Sequence, residues 1–273
     1  VSDGAHSLTV GYAQGFSEEV WRACTRKGTD LIYLLLALIP PVIVAAWFYK
    51  NDKNPEPMLH TVKAILSGAL VCLPVLLITG LLLAPMLAGV FQNNSLVSSF
   101  IFAFFLAAIP EEFFKFVFLR RYINSEEADE PYDFIFYGAM ISVGFAAVEN
   151  VLYVYQYGLE VGIVRAFTAV PMHAICGAML GYGLLKRGKQ TLKEGYYTWD
   201  TMRGALTLPI IVHGLYNWPV LAFDHSNASN FLKILSLIFW IGVLFYLVIK
   251  FKRILAETKT MAATQSPRVS TKS

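Results

Sequence analysis

Seven apolar runs separated by short polar stretches occupy most of the chain, at about 31–49, 62–90, 96–119, 132–155, 162–185, 203–222 and 230–251. A helix needs ~20 apolar residues to cross ~30 Å of hydrocarbon, and each run is about that long. No run shows the two-residue alternation of a membrane β-strand, and irregular backbone cannot face lipid, so every run predicts a helix. The pattern therefore predicts an all-α fold, a polytopic membrane helical bundle with about seven transmembrane helices.

The flanks predict something different. Residues 16–27 suit a short helix at the membrane interface, with Ser17 as N-cap, Glu18 and Glu19 in the first turn, and Phe16, Val20, Trp21 and Cys24 toward lipid. The tail beyond Leu255 is polar with nothing to pack and predicts disorder. The expected organisation is an N-terminal interfacial segment (1–30), a transmembrane domain (31–255) and a disordered cytoplasmic tail (256–273). The acidic stretch Asn124 to Glu130 reads as a solvated connection.

Composition supports the membrane reading. Of 273 residues, 56% are hydrophobic and only 15% charged, well below the quarter or so of a soluble domain. The lipid bilayer is thus a partner, and no nucleic-acid partner is expected. Cys24, Cys72 and Cys176 form an odd, widely spaced set, which indicates neither a disulfide framework nor a zinc ribbon. No apolar signal-peptide segment is visible over residues 1–30. Basic residues gather in alternate loops: Lys50, Lys53 and Lys63; Arg120 and Arg121; Lys186, Arg187, Lys189 and Lys193; and Lys250, Lys252, Arg253 and Lys259 near the C-terminus. By the positive-inside rule these loops and the C-terminus are cytoplasmic, in a multi-pass protein of the cell membrane. The intervening side holds almost no basic residue, only Arg165 just inside a span. Arg22, Arg26 and Lys27 oppose an external N-terminus, so either they are an exception or the first run, interrupted by Pro40-Pro41, does not span simply.

Charges inside the runs are the candidate chemistry. Glu111, Glu112 and Lys115 interrupt an otherwise apolar third run, and each charge near the bilayer centre costs about 2.5–3.5 kcal/mol on insertion scales. Lys115 lies three and four residues after the glutamates and can neutralise one of them on the same helix face. The other carboxylate then has no partner in its own helix and suits general acid–base work. In the fourth run Gly138, Ser142, Ala146 and Glu149 share a face, which points Glu149 into the bundle. The fifth carries His173 before a Gly177-x-x-x-Gly181 pair, and the sixth carries His213 and Asn217 one turn apart, donors suited to an oxyanion or a water. Pro110, Pro171 and Pro209 each loosen the helix near one of these positions, as expected where water enters a bundle. Counting helix rise from the basic ends puts Glu111, His213 and His173 at about 13–20 Å and Glu149 deeper, at about 24 Å, as a supporting residue.

In order along successive helices, Glu111-Glu112-x-x-Lys115, Tyr132-Asp133, Phe145-x-x-x-Glu149-Asn150, His173-x-x-x-Gly177 and His213-x-x-x-Asn217 resemble the PrsW family of intramembrane proteases, with a weaker likeness at Glu56-Pro57. That family shares its plan with the CAAX prenyl endopeptidase and abortive-infection superfamily, so a CAAX-protease-like core is implied. CAAX enzymes carry an arginine after the glutamate pair and a histidine in place of Glu149, which makes prenyl-protein processing the less suitable substrate class. The resemblance implies site-1-type cleavage of a membrane-anchored regulator such as an anti-sigma factor, in a stress response. It also implies roles: Glu111 or Glu112 activates water, His173 and His213 bind a metal or the water, Asn217 stabilises the oxyanion, and Lys115 orients the glutamates.

Zinc is the candidate cofactor, since two histidines and a carboxylate are an adequate ligand set. No His-Glu-x-x-His motif is present, and the reading favours a metal-independent, glutamate-activated water. Two other functions use the same residues differently: a proton-coupled transporter or channel, and a non-enzymatic scaffold for single-span partners. Neither oligomeric state nor the physiological substrate is encoded in these patterns.

Overall fold

The computed structural model describes residues 29–87, 96–187, 198–224 and 230–264. Among them the chain is helical, without strands, and seven helices are long and apolar enough to cross a membrane. These are α1 (Thr29–Lys50), α2 (Met58–Met86), α3 (Leu96–Ile123), α4 (Pro131–Tyr157), α5 (Leu159–Leu185), α6 (Trp199–Asp224) and α7 (Asn230–Thr264). The protein is a multi-pass membrane protein.

Boundaries moved where polar contacts extend a helix. α1 runs unbroken through Pro40-Pro41. α7 continues to Thr264, past the expected end near 255, because Glu257 pairs with Lys186 at 3.1 Å and accepts a hydrogen bond from Tyr182. Buried Thr258 also donates to the Ile254 carbonyl, at 2.8 Å. The interfacial helix expected at 16–27 and the tail from 265 onward lie outside the described residues.

α4 is the central helix, packed against α1, α2 and α5. Small residues set its approach to α5: a Cβ on Gly138 would lie 2.1 Å from the Gly177 carbonyl oxygen, and one on Gly177 equally close to the Gly138 oxygen. No side chain fits between these backbones, which is the close contact that the small-residue face predicted. On its other flank Gly144 meets the Ile65 carbonyl of α2 in the same way. Asn150 Nδ2 donates to the Ala37 carbonyl at 2.8 Å and ties α4 to α1. α4 joins α5 through Gly158 alone, at φ 88°, a backbone state that glycine adopts without steric cost.

α2 and α3 each contain a π-helical turn, at Thr79–Leu83 and Phe102–Ala108. The second ends just before Pro110, which has no N–H to offer the Leu106 carbonyl one turn upstream. The Thr79 hydroxyl takes that carbonyl instead, at 3.2 Å. An apolar groove of about 370 Å³ lies beside this joint, lined by Ile78, Leu83, Phe105, Ile109, Pro110 and Phe113 among others. It runs up to the residue that precedes Glu111. α5 is likewise interrupted, at Thr168, three residues before Pro171.

The loops that close one end of the bundle are less solvated than expected. Ala128 is buried and Glu130 half-buried, so the Asn124 to Glu130 connection is partly sealed against the α1–α2 loop. Glu56, just before α2, is also buried, and that burial raises its carboxyl above the ordinary value, while neighbouring Tyr137 acts in the opposite sense.

Candidate active site

Glu111 and Glu112 occupy the turn after Pro110 in α3, and His173 and His213 lie near the midpoints of α5 and α6. All four are buried, as is Lys115. One ligand atom from each of Glu111, Glu112, His173 and His213 falls within 4.8 Å of the others. Helices separated by up to a hundred residues thus place their polar groups at one point inside the hydrophobic zone.

Lys115 is the hub. Its Nζ lies 2.8 Å from Glu112 Oε1, 3.5 Å from Glu111 Oε2 and 3.2 Å from His173 Nδ1. The ammonium also stands 4.3 Å from the centre of the Phe145 ring, a cation–π contact that closes its remaining side. His213 Nδ1 is 2.9 Å from Glu112 Oε1, and its Nε2 is 3.7 Å from Glu111 Oε2. The two imidazoles meet edge to face with centroids 4.9 Å apart.

Donor and acceptor chemistry fixes the tautomers. A carboxylate only accepts, so His173 Nε2, 2.7 Å from Glu149 Oε2, carries a proton and donates it. Its Nδ1 then presents a lone pair to the Lys115 ammonium, which only donates. His213 donates from Nδ1 to Glu112, which leaves Nε2 as a lone pair beside Glu111. Two fixed cations, Lys115 and Arg165, face three carboxylates, Glu111, Glu112 and Glu149. One carboxylate is therefore uncompensated, and Glu111, the farther of the pair from Lys115, is that one. Glu112 Oε2 is buried without a hydrogen-bond partner among the described residues.

Glu149, expected deeper and apart, enters the cluster through His173. Its other partner was not foreseen: Arg165 Nη2 lies 2.8 Å from Glu149 Oε2, and the guanidinium stacks 3.8 Å from the Tyr153 ring centre. The available signal was that Arg165 is a basic residue within a span on the side otherwise poor in them, where a charge needs a partner. Asn217 is not drawn in. It lies half-buried one turn beyond His213 and makes no hydrogen bond among the described residues.

The donor set suits a divalent transition metal by chemistry: imidazole nitrogens and carboxylate oxygens, with an orphaned Glu112 oxygen among them. His213 Nε2, Glu111 and Glu112 offer lone pairs directly. Both His173 nitrogens are engaged, by Glu149 and Lys115, so His173 ligation requires exchange with the lysine.

Among the described residues, seven helices fit to span a membrane surround a buried centre of carboxylates, imidazoles and one ammonium, which defines a polytopic membrane protein with a polar centre inside its apolar bundle. Residues 56–249 match the family model described as PrsW family intramembrane metalloprotease. The chain belongs to that family and is an intramembrane protease. It is 34% identical over 218 residues to Protease PrsW of Oceanobacillus iheyensis, covering 80% of this chain and 95% of that one. To Protease PrsW of Geobacillus kaustophilus it is 34% identical, over 67% of this chain and 77% of the relative. To Protease PrsW of Bacillus subtilis it is 28% identical, over 76% of this chain and 90% of the relative. No solved structure matches the chain.

Proposed function

We propose that this protease hydrolyses a peptide bond in a membrane-anchored regulatory protein, such as an anti-sigma factor, with a water activated by Glu111. The observation that carries the reading is the convergence of Glu111, Glu112, His173 and His213 within 4.8 Å of one another at mid-span. Glu111 is the uncompensated carboxylate and adjoins the apolar groove through Pro110, so it is the group nearest to where a substrate segment would arrive from lipid.

In the proposed reaction Glu111 takes a proton from water as the oxygen attacks the scissile carbonyl carbon. The carbonyl oxygen becomes an oxyanion, and the Asn217 amide, on the α6 face that carries His213 and without a hydrogen bond among the described residues, donates to it. Glu111 then gives the proton to the departing amine as the C–N bond breaks, leaving a carboxylate and an amine. Glu112 and Lys115 hold each other and fix His213, while Glu149 fixes the His173 tautomer. If zinc is held, Glu111, Glu112 and His213 hold it, His173 joins by exchange with Lys115, and it supplies Lewis-acid polarisation of a water or carbonyl oxygen. The plan is proposed to be shared with the CAAX endopeptidases, and a cytoplasmic C-terminus is proposed with it, supported by the basic residues gathered in alternate loops.

The test is cleavage of a single-span substrate co-reconstituted in liposomes, with elemental analysis of the same preparation. Wild type yields two fragments and Glu111→Gln yields none while remaining inserted. Proton flux without cleavage would replace this reading by the transporter one.

A further inference from the structure

A second set of buried carboxylates lies at the end of the bundle closed by the α1–α2 and α3–α4 loops, outside the active site. Asp52, Glu130 and Asp133 each offer an oxygen within 4.8 Å of the other two. Asp133 is 2% exposed and Asp52 8%, while Glu130 is half-buried at the N-cap of α4. Acids this close are expected to be matched by basic groups, yet the hydrogen-bond donors to these three are amides. The Asn54 backbone N–H donates to Asp52 Oδ1 at 3.1 Å, and Asn54 Nδ2 donates to Glu130 Oε1. The Glu130 N–H donates to Asp133 Oδ2 at 2.6 Å, and the Glu130 side chain accepts the Asp133 N–H in a reciprocal capping box.

Those bonds leave one group unexplained. Asp52 Oδ2 is buried with no hydrogen-bond partner among the described residues, on a side chain more than nine-tenths buried beside two further carboxylates. A buried anionic oxygen without a donor costs several kcal/mol in a protein interior, and this one adds to like-charge repulsion. A hard divalent cation removes both costs. Ca²⁺ takes oxygen ligands at about 2.3–2.6 Å, so oxygens across it stand up to about 5 Å apart, and Mg²⁺ binds similarly at about 2.1 Å. A set within 4.8 Å matches the first and needs a small contraction for the second. All three donors are oxygens, which selects against the softer metals that histidine and cysteine sites favour.

We propose that Asp52, Glu130 and Asp133 form a structural site for a hard divalent cation, Ca²⁺ or Mg²⁺, that clamps the α1–α2 loop to the start of α4. Asn54 and the capping box preorganise the site. It is independent of the catalytic reading, since none of its residues belongs to the Glu111 cluster.

The test uses the full chain purified in detergent and stripped with EDTA, with Tb³⁺ as the probe, because Tyr132 adjoins Asp133 and sensitises bound Tb³⁺. Wild type is expected to show Tb³⁺ luminescence displaced by millimolar Ca²⁺ or Mg²⁺, and an unfolding midpoint that rises with either ion. Which ion competes at lower concentration identifies the occupant. Asp52→Asn and Glu130→Gln are expected to lose roughly tenfold or more in Tb³⁺ affinity and to melt no lower than wild type in EDTA, since each removes a repelling charge. That second readout separates loss of the site from loss of the fold. Wild type that binds no Tb³⁺ and melts alike with or without Ca²⁺ and Mg²⁺ overturns the proposal and leaves protons as the neutralising agent. Luminescence undiminished in both variants overturns it equally.

Discussion

Two groups of buried carboxylates, one at mid-membrane and one at the loop end of the bundle, are equally sequestered and oppositely supplied. Glu111, Glu112 and Glu149 are interleaved with Lys115, Arg165 and two imidazoles, so nearly every negative charge has a protein cation or ring nitrogen within 4 Å. Asp52, Glu130 and Asp133 are held instead by the amide donors of Asn54, Glu130 and Asp133. Burial of an acid therefore says little by itself. The two groups differ in where the compensating charge comes from: the first draws it from Lys115 and Arg165 and keeps one carboxylate in excess, and the second leaves Asp52 Oδ2 without a donor among the described residues.

The strongest way to break the contrast is to remove the internal compensation. Glu112→Ala deprives both Lys115 and His213 of their shared acceptor and is expected to abolish cleavage of a reconstituted single-span substrate, a loss of about 10²–10⁴ or more. His213→Ala is expected to match it, with insertion checked by protease protection of the loops. Next, Lys115→Met makes the mid-membrane cluster resemble the loop-end one. Removing one partner of a buried pair costs about 3–5 kcal/mol, so reduced thermal stability should accompany the loss of activity.

A smaller effect is expected at Arg165, which acts through Glu149 and His173 as a positioning residue. Arg165→Ala should lower kcat roughly tenfold and displace the pH–rate profile, while Arg165→Lys, keeping the charge but not the planar stack on Tyr153, should restore part of both. The smallest concerns Glu56, whose carboxyl is raised by burial at the loop end. Its folded-state value lies above the unfolded one, so its contribution to stability is complete below the ordinary carboxylate range and is lost as pH rises through the folded value. Glu56→Gln should flatten that decline, gaining on wild type by on the order of a few degrees in midpoint toward neutral pH. A difference independent of pH would count against the titration.

The runs of apolar residues made the spans legible, and the costly charges within them marked Glu111, Glu112 and Lys115 as a unit before any coordinates. Spacing along single helices could not reveal which helices meet. The Arg165–Glu149 pair joins α5 to α4 across sixteen positions and a chain reversal at Gly158, whereas counting depth from the loops sets Glu149 apart. Asn217 shares a helix face with His213 one turn of about 5.4 Å away, and its amide makes no hydrogen bond among the described residues. The loop-end acids were harder to see, since Asp52 and Glu130 are ordinary surface residue types in loops and only the fold buries them. α7 ran past its expected end for a similar reason: Glu257 meets Lys186 and Tyr182 of a distant segment.

The pairing of Glu112 with Lys115 inside a single helix bears on how the protein is made. Spans leave the ribosome in order, so α3 enters the bilayer before α5 and α6 deliver His173 and His213. Had Lys115 relied on a carboxylate from a later helix, α3 would arrive with unpaired ions of both signs at its centre. Because the lysine lies three residues after its glutamate, the helix can carry the two as a neutral couple across the interface. It then waits in lipid for its later partners, at the cost of one remaining acid, and that acid is the one assigned to the chemistry.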